Sequence, residues 1–93
     1  MNDMTDADFG QLITSLDVNR KFLEAKRVVF EQTYSEKLGV AMRALVEDIK
    51  YIAQMASETL DNLELSISQR MSLKTTLSQL EFEIRLTIEL VYE

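Results

Sequence analysis

Ninety-three residues with 10 basic and 16 acidic side chains, no cysteine, no histidine and no tryptophan describe one small acidic domain. The composition removes disulfides, thiol nucleophiles and cysteine- or histidine-ligated metals. It also leaves no near-neutral acid/base group, so a non-enzymatic protein without a cofactor is expected. The net charge of -6 argues against direct nucleic-acid binding, which needs a basic face.

The first segment, MNDMTDADFG, carries Asp3, Asp6 and Asp8 and no Lys or Arg, unlike a signal or transit peptide. No apolar run approaches the ~20 residues of a membrane span, so a cytoplasmic protein is expected. With no proline and only two glycines, Gly10 and Gly39, the chain lacks the turn chemistry of β and α/β domains. The fold class predicted is all-α: an antiparallel three-helix bundle, with a long helical hairpin, an N-terminal helix and a short extra N-terminal helical element.

In chain order, a short helix over 5–15 is expected, capped by Thr5 or Asp6 and weakened by Gly10. Asp6, Asp8 and Asp17 coincide with positions 1, 3 and 12 of a calcium-binding loop. The match fails in the middle: Gly10 stands where a ligand is needed, Gln11 where glycine is needed, and Asp17 where a bidentate Glu is needed. Negative charge at a helix N-terminus explains the acids without a metal.

Asp17 is then a candidate N-cap for a helix over 17–34 containing Phe22, Leu23, Val29, Phe30 and Tyr34. Within it, RKFLEAKR concentrates Arg20, Lys21, Lys26 and Arg27, four of the ten basic residues. They are weak candidates for electrostatic docking. The alternative is i, i+4 pairing of Arg20 with Glu24 and Arg27 with Glu31 on an exposed face. A break is expected within 33–39, where Ser35 caps a new helix, or Gly39 ends the old one, or the helix runs through.

Over 38–63, Leu38, Met42, Leu45, Ile49, Ile52, Ala56, Leu60 and Leu63 step by four and three along one helix face. Glu47, Lys50, Gln54, Glu58 and Asp61 form the solvated side. Tyr51 lies off the apolar stripe and is a secondary interface candidate. Met42, Met55 and Met71 read as core gap-fillers. Asp61, Asn62, Ser66 and Ser68 supply turn and cap chemistry for the next junction.

The last segment, over 68–92, supports two readings. Phe82, Ile84, Leu86, Ile88, Leu90 and Tyr92 alternate as in a strand, and LELSIS could pair with them. No hairpin turn lies between them, however, and Leu73, Leu77, Leu80, Ile84, Ile88 and Val91 step as in a helix. The helical reading, which is favoured, gives two apolar faces: Phe82, Leu86 and Leu90 fall opposite the main one, with Glu81, Glu83, Arg85 and Glu89 between. A second apolar face needs a second neighbour. Three candidates stand: the N-terminal Phe9, Leu12, Ile13 and Leu16; a second copy; or a different protein. Paired acids such as Glu47/Asp48 or Glu81/Glu83 diverge on a helix and make no active site.

The expected function is a protein-binding module, an adaptor, chaperone or regulator of bacterial or phage type. It acts through the helix face of Phe82, Leu86 and Leu90 as a homodimer or coiled-coil assembly. Two other readings stand beside it. One is a purely structural helical oligomer. The other is an acidic inhibitor of a nucleic-acid-processing enzyme, whose affinity would collapse with salt.

Overall fold

A computed structural model of the protein describes residues 5–62 and 64–92, with the Asn62 side chain excepted. Asp3 and Leu63, which entered the sequence patterns, lie outside the described residues. Three helices pack side by side: α1 (Asp6–Gln32), α2 (Glu36–Asn62) and α3 (Ile67–Val91). Each touches both others, giving a rod of 46 × 18 × 17 Å with no strand among the described residues. The connections are too short for anything but reversal of direction, so α2 runs against both neighbours and α1 and α3 run parallel.

The first helix departs from the expected division. It is continuous through Asp17, and the short N-terminal element forms its first turns. The physical reason is twofold. Phe9, Leu12, Ile13, Leu16, Leu23 and Phe30 keep one helical register across the supposed junction. Asp17 finds partners along the helix rather than at a helix start, with Arg20 at 2.9 Å and Lys21 at 3.0 Å. Thr5 is the cap, its Oγ1 accepting from the Asp8 N–H at 3.1 Å.

The first turn falls at Thr33–Ser35, where the Ser35 hydroxyl accepts from the Leu38 N–H at 3.3 Å. Gly39 is helical and serves packing instead of termination. A Cβ there would stand 3.2 Å from the Phe30 ring, which lies across the start of α2. At the second turn Ser66 and Gln69 form a reciprocal capping box, each backbone N–H donating to the other's side chain at 3.1 Å. Two arginines then tie helix ends together. Arg70 donates to the Leu60 carbonyl at 2.7 Å, and Arg43 donates to the Val91 carbonyl at 3.0 Å. Each satisfies a terminal carbonyl that its helix leaves open.

The core follows heptad spacing. In α2 the buried line is Met42, Val46, Ile49, Ala53 and Ala56; in α3 it is Leu73, Leu77, Leu80, Ile84, Thr87 and Val91. The α2 line is rotated from the expected stripe, with Leu38, Leu45, Ile52 and Leu60 half-buried on its flank. With a neighbour on either side, α2 buries the line between them, and Ala53 and Ala56 let the backbones approach. Met42 is a core residue, but Met55 and Met71 are exposed, contrary to the gap-filling expectation.

In α1, Leu16, Leu23 and Phe30 repeat every seven residues. The intervening heptad positions are Arg20 and Arg27. Arg27 crosses to α3 and binds the Glu83 carboxylate through two nitrogens, Nε and Nη2. Glu83 is only 4% exposed, so it does not belong to the solvated strip between two apolar faces where its sequence position put it. Thr87, fully buried one turn on, donates its hydroxyl to the Glu83 carbonyl at 2.9 Å. A slip of one turn, ~5.4 Å, would strand both charges, so the pair selects the register between α1 and α3.

Candidate functional site: a groove between α1 and α3

Beside the Arg27–Glu83 pair the surface is concave. A groove of about 460 Å³ is walled by Arg20, Glu24 and Arg27 of α1 and by Ser78, Gln79, Phe82, Glu83 and Leu86 of α3. Toward the C-terminal end of both helices it meets a second recess of about 240 Å³, lined by Arg27, Glu31, Leu86, Glu89 and Leu90. Arg27 and Leu86 are common to both. The three apolar residues singled out on the second face of α3 therefore lie along one concave track, and two of the four basic candidates stand across from them.

Phe82 is 55% exposed, while Leu86 and Leu90 are half-buried. The N-terminal turns of α1 do not cover them. Phe9, Leu12 and Ile13 pack onto the main core cluster with Leu16, away from the Arg27 end of the groove. What flanks the track from α1 is a layer of ion pairs. Arg27 Nη1 reaches Glu31 at 2.7 Å, and Arg20 reaches Asp17 at 2.9 Å and Glu24 at 4.0 Å. Both expected i, i+4 pairs are present, but Arg27 faces α3 and not an open surface. Its carboxylate partners hold the guanidinium above its ordinary pKa, chiefly through the hydrogen bond to Glu83. Hydrogen bonds from Arg20 and then Lys21 hold the Asp17 carboxyl below its ordinary value of 3.8. Arg20 Nε is enclosed and has no acceptor among the described residues.

The other candidates stand elsewhere. Lys26 lies over the Phe22 ring, 5.3 Å from its centroid, on the side of α1 that faces α2. Lys21 pairs with Asp17 outside the groove. Tyr51 is exposed on α2 and lines neither recess. No group of three or more Asp or Glu that could hold a metal occurs among the described residues. No described helix is long and apolar enough to cross a membrane.

Two features escape a reading of the sequence by segments. One is the Arg27–Glu83–Thr87 layer; its signal is that Arg20 and Arg27 fill the gaps in the Leu16–Leu23–Phe30 heptad. The other is a second apolar face on α1, where Val18, Phe22 and Val29 are all exposed. Its signal is their i, i+4, i+11 spacing, offset from the buried residues with which Phe22 and Val29 had been grouped. Comparison with protein-family models, curated protein sequences and solved structures finds no match to this chain. The functional reading therefore stands on the geometry of the groove and the chemistry of its walls.

Proposed function

We propose that the protein is a non-enzymatic, cytoplasmic binding module, an adaptor, chaperone or regulator that works as a homodimer and receives an amphipathic helix of another protein in the α1/α3 groove. The observation that carries this reading is the position of Phe82, Leu86 and Leu90. They follow one another along a concave track, with Phe82 exposed and Leu86 and Leu90 half-buried, Leu90 against the Phe30–Met42–Val91 cluster. Burying what remains accessible of these three side chains is worth on the order of 3 kcal/mol at ~25 cal/mol per Å². The exposed rim supplies carboxylates: Glu24, Glu31 and Glu89. A fitting helix presents apolar residues at i, i+4 and i+8 with Lys or Arg beside them, so that contact area gives affinity and charge gives orientation.

The test is selection of displayed helical peptides on the wild-type protein, followed by rebinding to variants. Peptides that fit the reading are apolar on one face, basic at its edges, lost on Leu86→Glu and retained on Tyr51→Ala. Selected peptides that bind Leu86→Glu as well as wild type would refute the groove as the site. The purely structural oligomer retains one observation in its favour, the exposed apolar face of α1.

A further inference from the structure

We infer that the outward face of α1 is the seam on which two copies of this chain pair, antiparallel, about a two-fold axis at Val18. At 100° per residue, Ala7, Gln11, Thr14, Phe22, Ala25 and Val29 all lie within about 40° of Val18. All seven are exposed, with Val18 at 57%, Phe22 at 49% and Val29 at 51%. None is charged. The stripe therefore spans 23 residues, a rise of about 33 Å, along the outward side of α1, with Phe22 at its edge toward α2. The exposed apolar residues of α2 offer no equivalent, because Tyr51 shares its face with Glu47 and Glu58.

The charges bordering the stripe choose the occupant and its direction. One border carries Asp8 and, farther along, Lys26; the other carries Asp17 and then Lys21. Both are acidic toward the N-terminus and basic toward the C-terminus. A second α1 laid parallel would face each border with the other, leaving Asp8 about 13 Å from the level of Asp17 and Lys26 about 7 Å from that of Lys21, and would bring no acid level with a lysine. Laid antiparallel with Val18 opposite itself, it brings Lys26 within two residues of the position facing Asp8, and Asp17 within two of the position facing Lys21. That offset is about 3 Å, within reach of a lysine side chain. A two-fold axis sets like border against like border, so each cross-pair occurs twice.

The same register matches small residues to large ones: Ala7 faces Val29, Gln11 faces Ala25, and Thr14 faces Phe22. Such alternation is what interdigitation across a helix pair requires. A strip ~33 Å long and ~10 Å wide projects to roughly 330 Å² per partner. That is less than the ~800 Å² per partner of a standard interface, so the dimer is reversible and dissociates on dilution.

The inference rests on the self-association proposed above, and the experiment separates the two. Sedimentation equilibrium over a range of concentrations is run on wild type, Val18→Asp, Leu86→Glu and the exchange Asp8→Lys/Lys26→Asp. Wild type should be a reversible dimer. Val18→Asp should weaken it about 100-fold or more, because two like charges then meet on the axis, with helicity unchanged. Lys26→Asp alone should weaken it about tenfold, and the double exchange should restore it. The chain has no cysteine, so introduced thiols report geometry directly. Val18→Cys should oxidise to a disulfide dimer, since a disulfide needs Cα atoms within ~7 Å. Ala7→Cys should not, its two copies lying about 33 Å apart.

A wild-type chain that remains monomeric at every concentration overturns the self-association reading and this inference together. A dimer that survives Val18→Asp but not Leu86→Glu overturns this inference alone and moves the contact to α3. Disulfide formation by both cysteine variants means a parallel pair and also overturns it.

Discussion

The most informative perturbation is removal of one partner from the Arg27–Glu83 pair. Arg27→Met keeps the length and apolar stem of the side chain but leaves the Glu83 carboxylate, 4% exposed, without the guanidinium that binds it. Breaking a buried pair from one side costs about 3–5 kcal/mol. The lower end applies here, because the Arg27 side chain is 18% exposed and water reaches its edge. A chain of 93 residues is stable by roughly 5–14 kcal/mol at 0.05–0.15 kcal/mol per residue. A loss of about 3 kcal/mol is thus a large fraction, equivalent to roughly 12–24 °C in Tm at this size.

Glu83→Leu should cost less, about 1–2 kcal/mol, because Arg27 retains Glu31 at 2.7 Å. The double variant removes both charges from the seam and should return to within about 1 kcal/mol of wild type, or exceed it. The coupling energy from the cycle is then about 3 kcal/mol. The assay is urea denaturation of the four proteins at pH 7, followed by circular dichroism and fitted with a common m-value. Single substitutions that cost under about 1 kcal/mol each and simply add would refute the claim that the pair anchors α1 to α3.

Three further outcomes are expected. Gly10→Ala should raise Tm by several degrees, about 0.5–1 kcal/mol, since Gly10 is helical with nothing within 4 Å of an added Cβ; Gly39→Ala should gain less or lose, because its Cβ meets the Phe30 ring at 3.2 Å. Ser66→Ala removes one half of the capping box and should lower stability by about 1 kcal/mol in thermal melts. The Asp17 carboxyl should titrate by NMR below 3.8, so its contribution is present above that pH and is lost as pH falls through the lowered value. Asp17→Asn should accordingly flatten the acid limb of the stability curve, and a variant with an unchanged limb would contradict the pairing with Arg20 and Lys21.

Local chemistry alone reached most of the secondary structure. The absence of proline, the stepping of apolar residues by three and four, and the cap candidates at 5–6, 35–39 and 61–68 are short-range facts. The helices begin and end close to them, with Thr5, Ser35 and Ser66 the residues that cap. The same facts favoured a helix over a strand for EFEIRLTIELVYE, and α3 runs as a helix through Val91. They misplaced a boundary at Asp17 because an aspartate that caps a helix and one that pairs with Arg and Lys at i+3 and i+4 look alike in sequence. Phe82, Leu86 and Leu90 were also legible as an extra face, since facing is a property of one helix.

What covers or completes a face depends on residues far along the chain. Arg27 acts inside the bundle only because Glu83, 56 residues later, lies level with it in a parallel helix. The heptad gaps of α1 put Arg20 and Arg27 on its inward side, but nothing within α1 says which group stands opposite them. For the same reason Glu83 reads as solvated until α1 is placed beside it. The groove itself is a relation between α1 and α3, and neither strip of sequence contains it. The sequence by itself determined that this is an acidic bundle of three helices with more apolar surface than one core needs, because helix formation and amphipathicity are set over a few turns. Only the tertiary structure decided which of that surface is core, which lines the groove beside Arg20 and Arg27, and which is left facing outward on α1. Those assignments follow from which helix stands next to which.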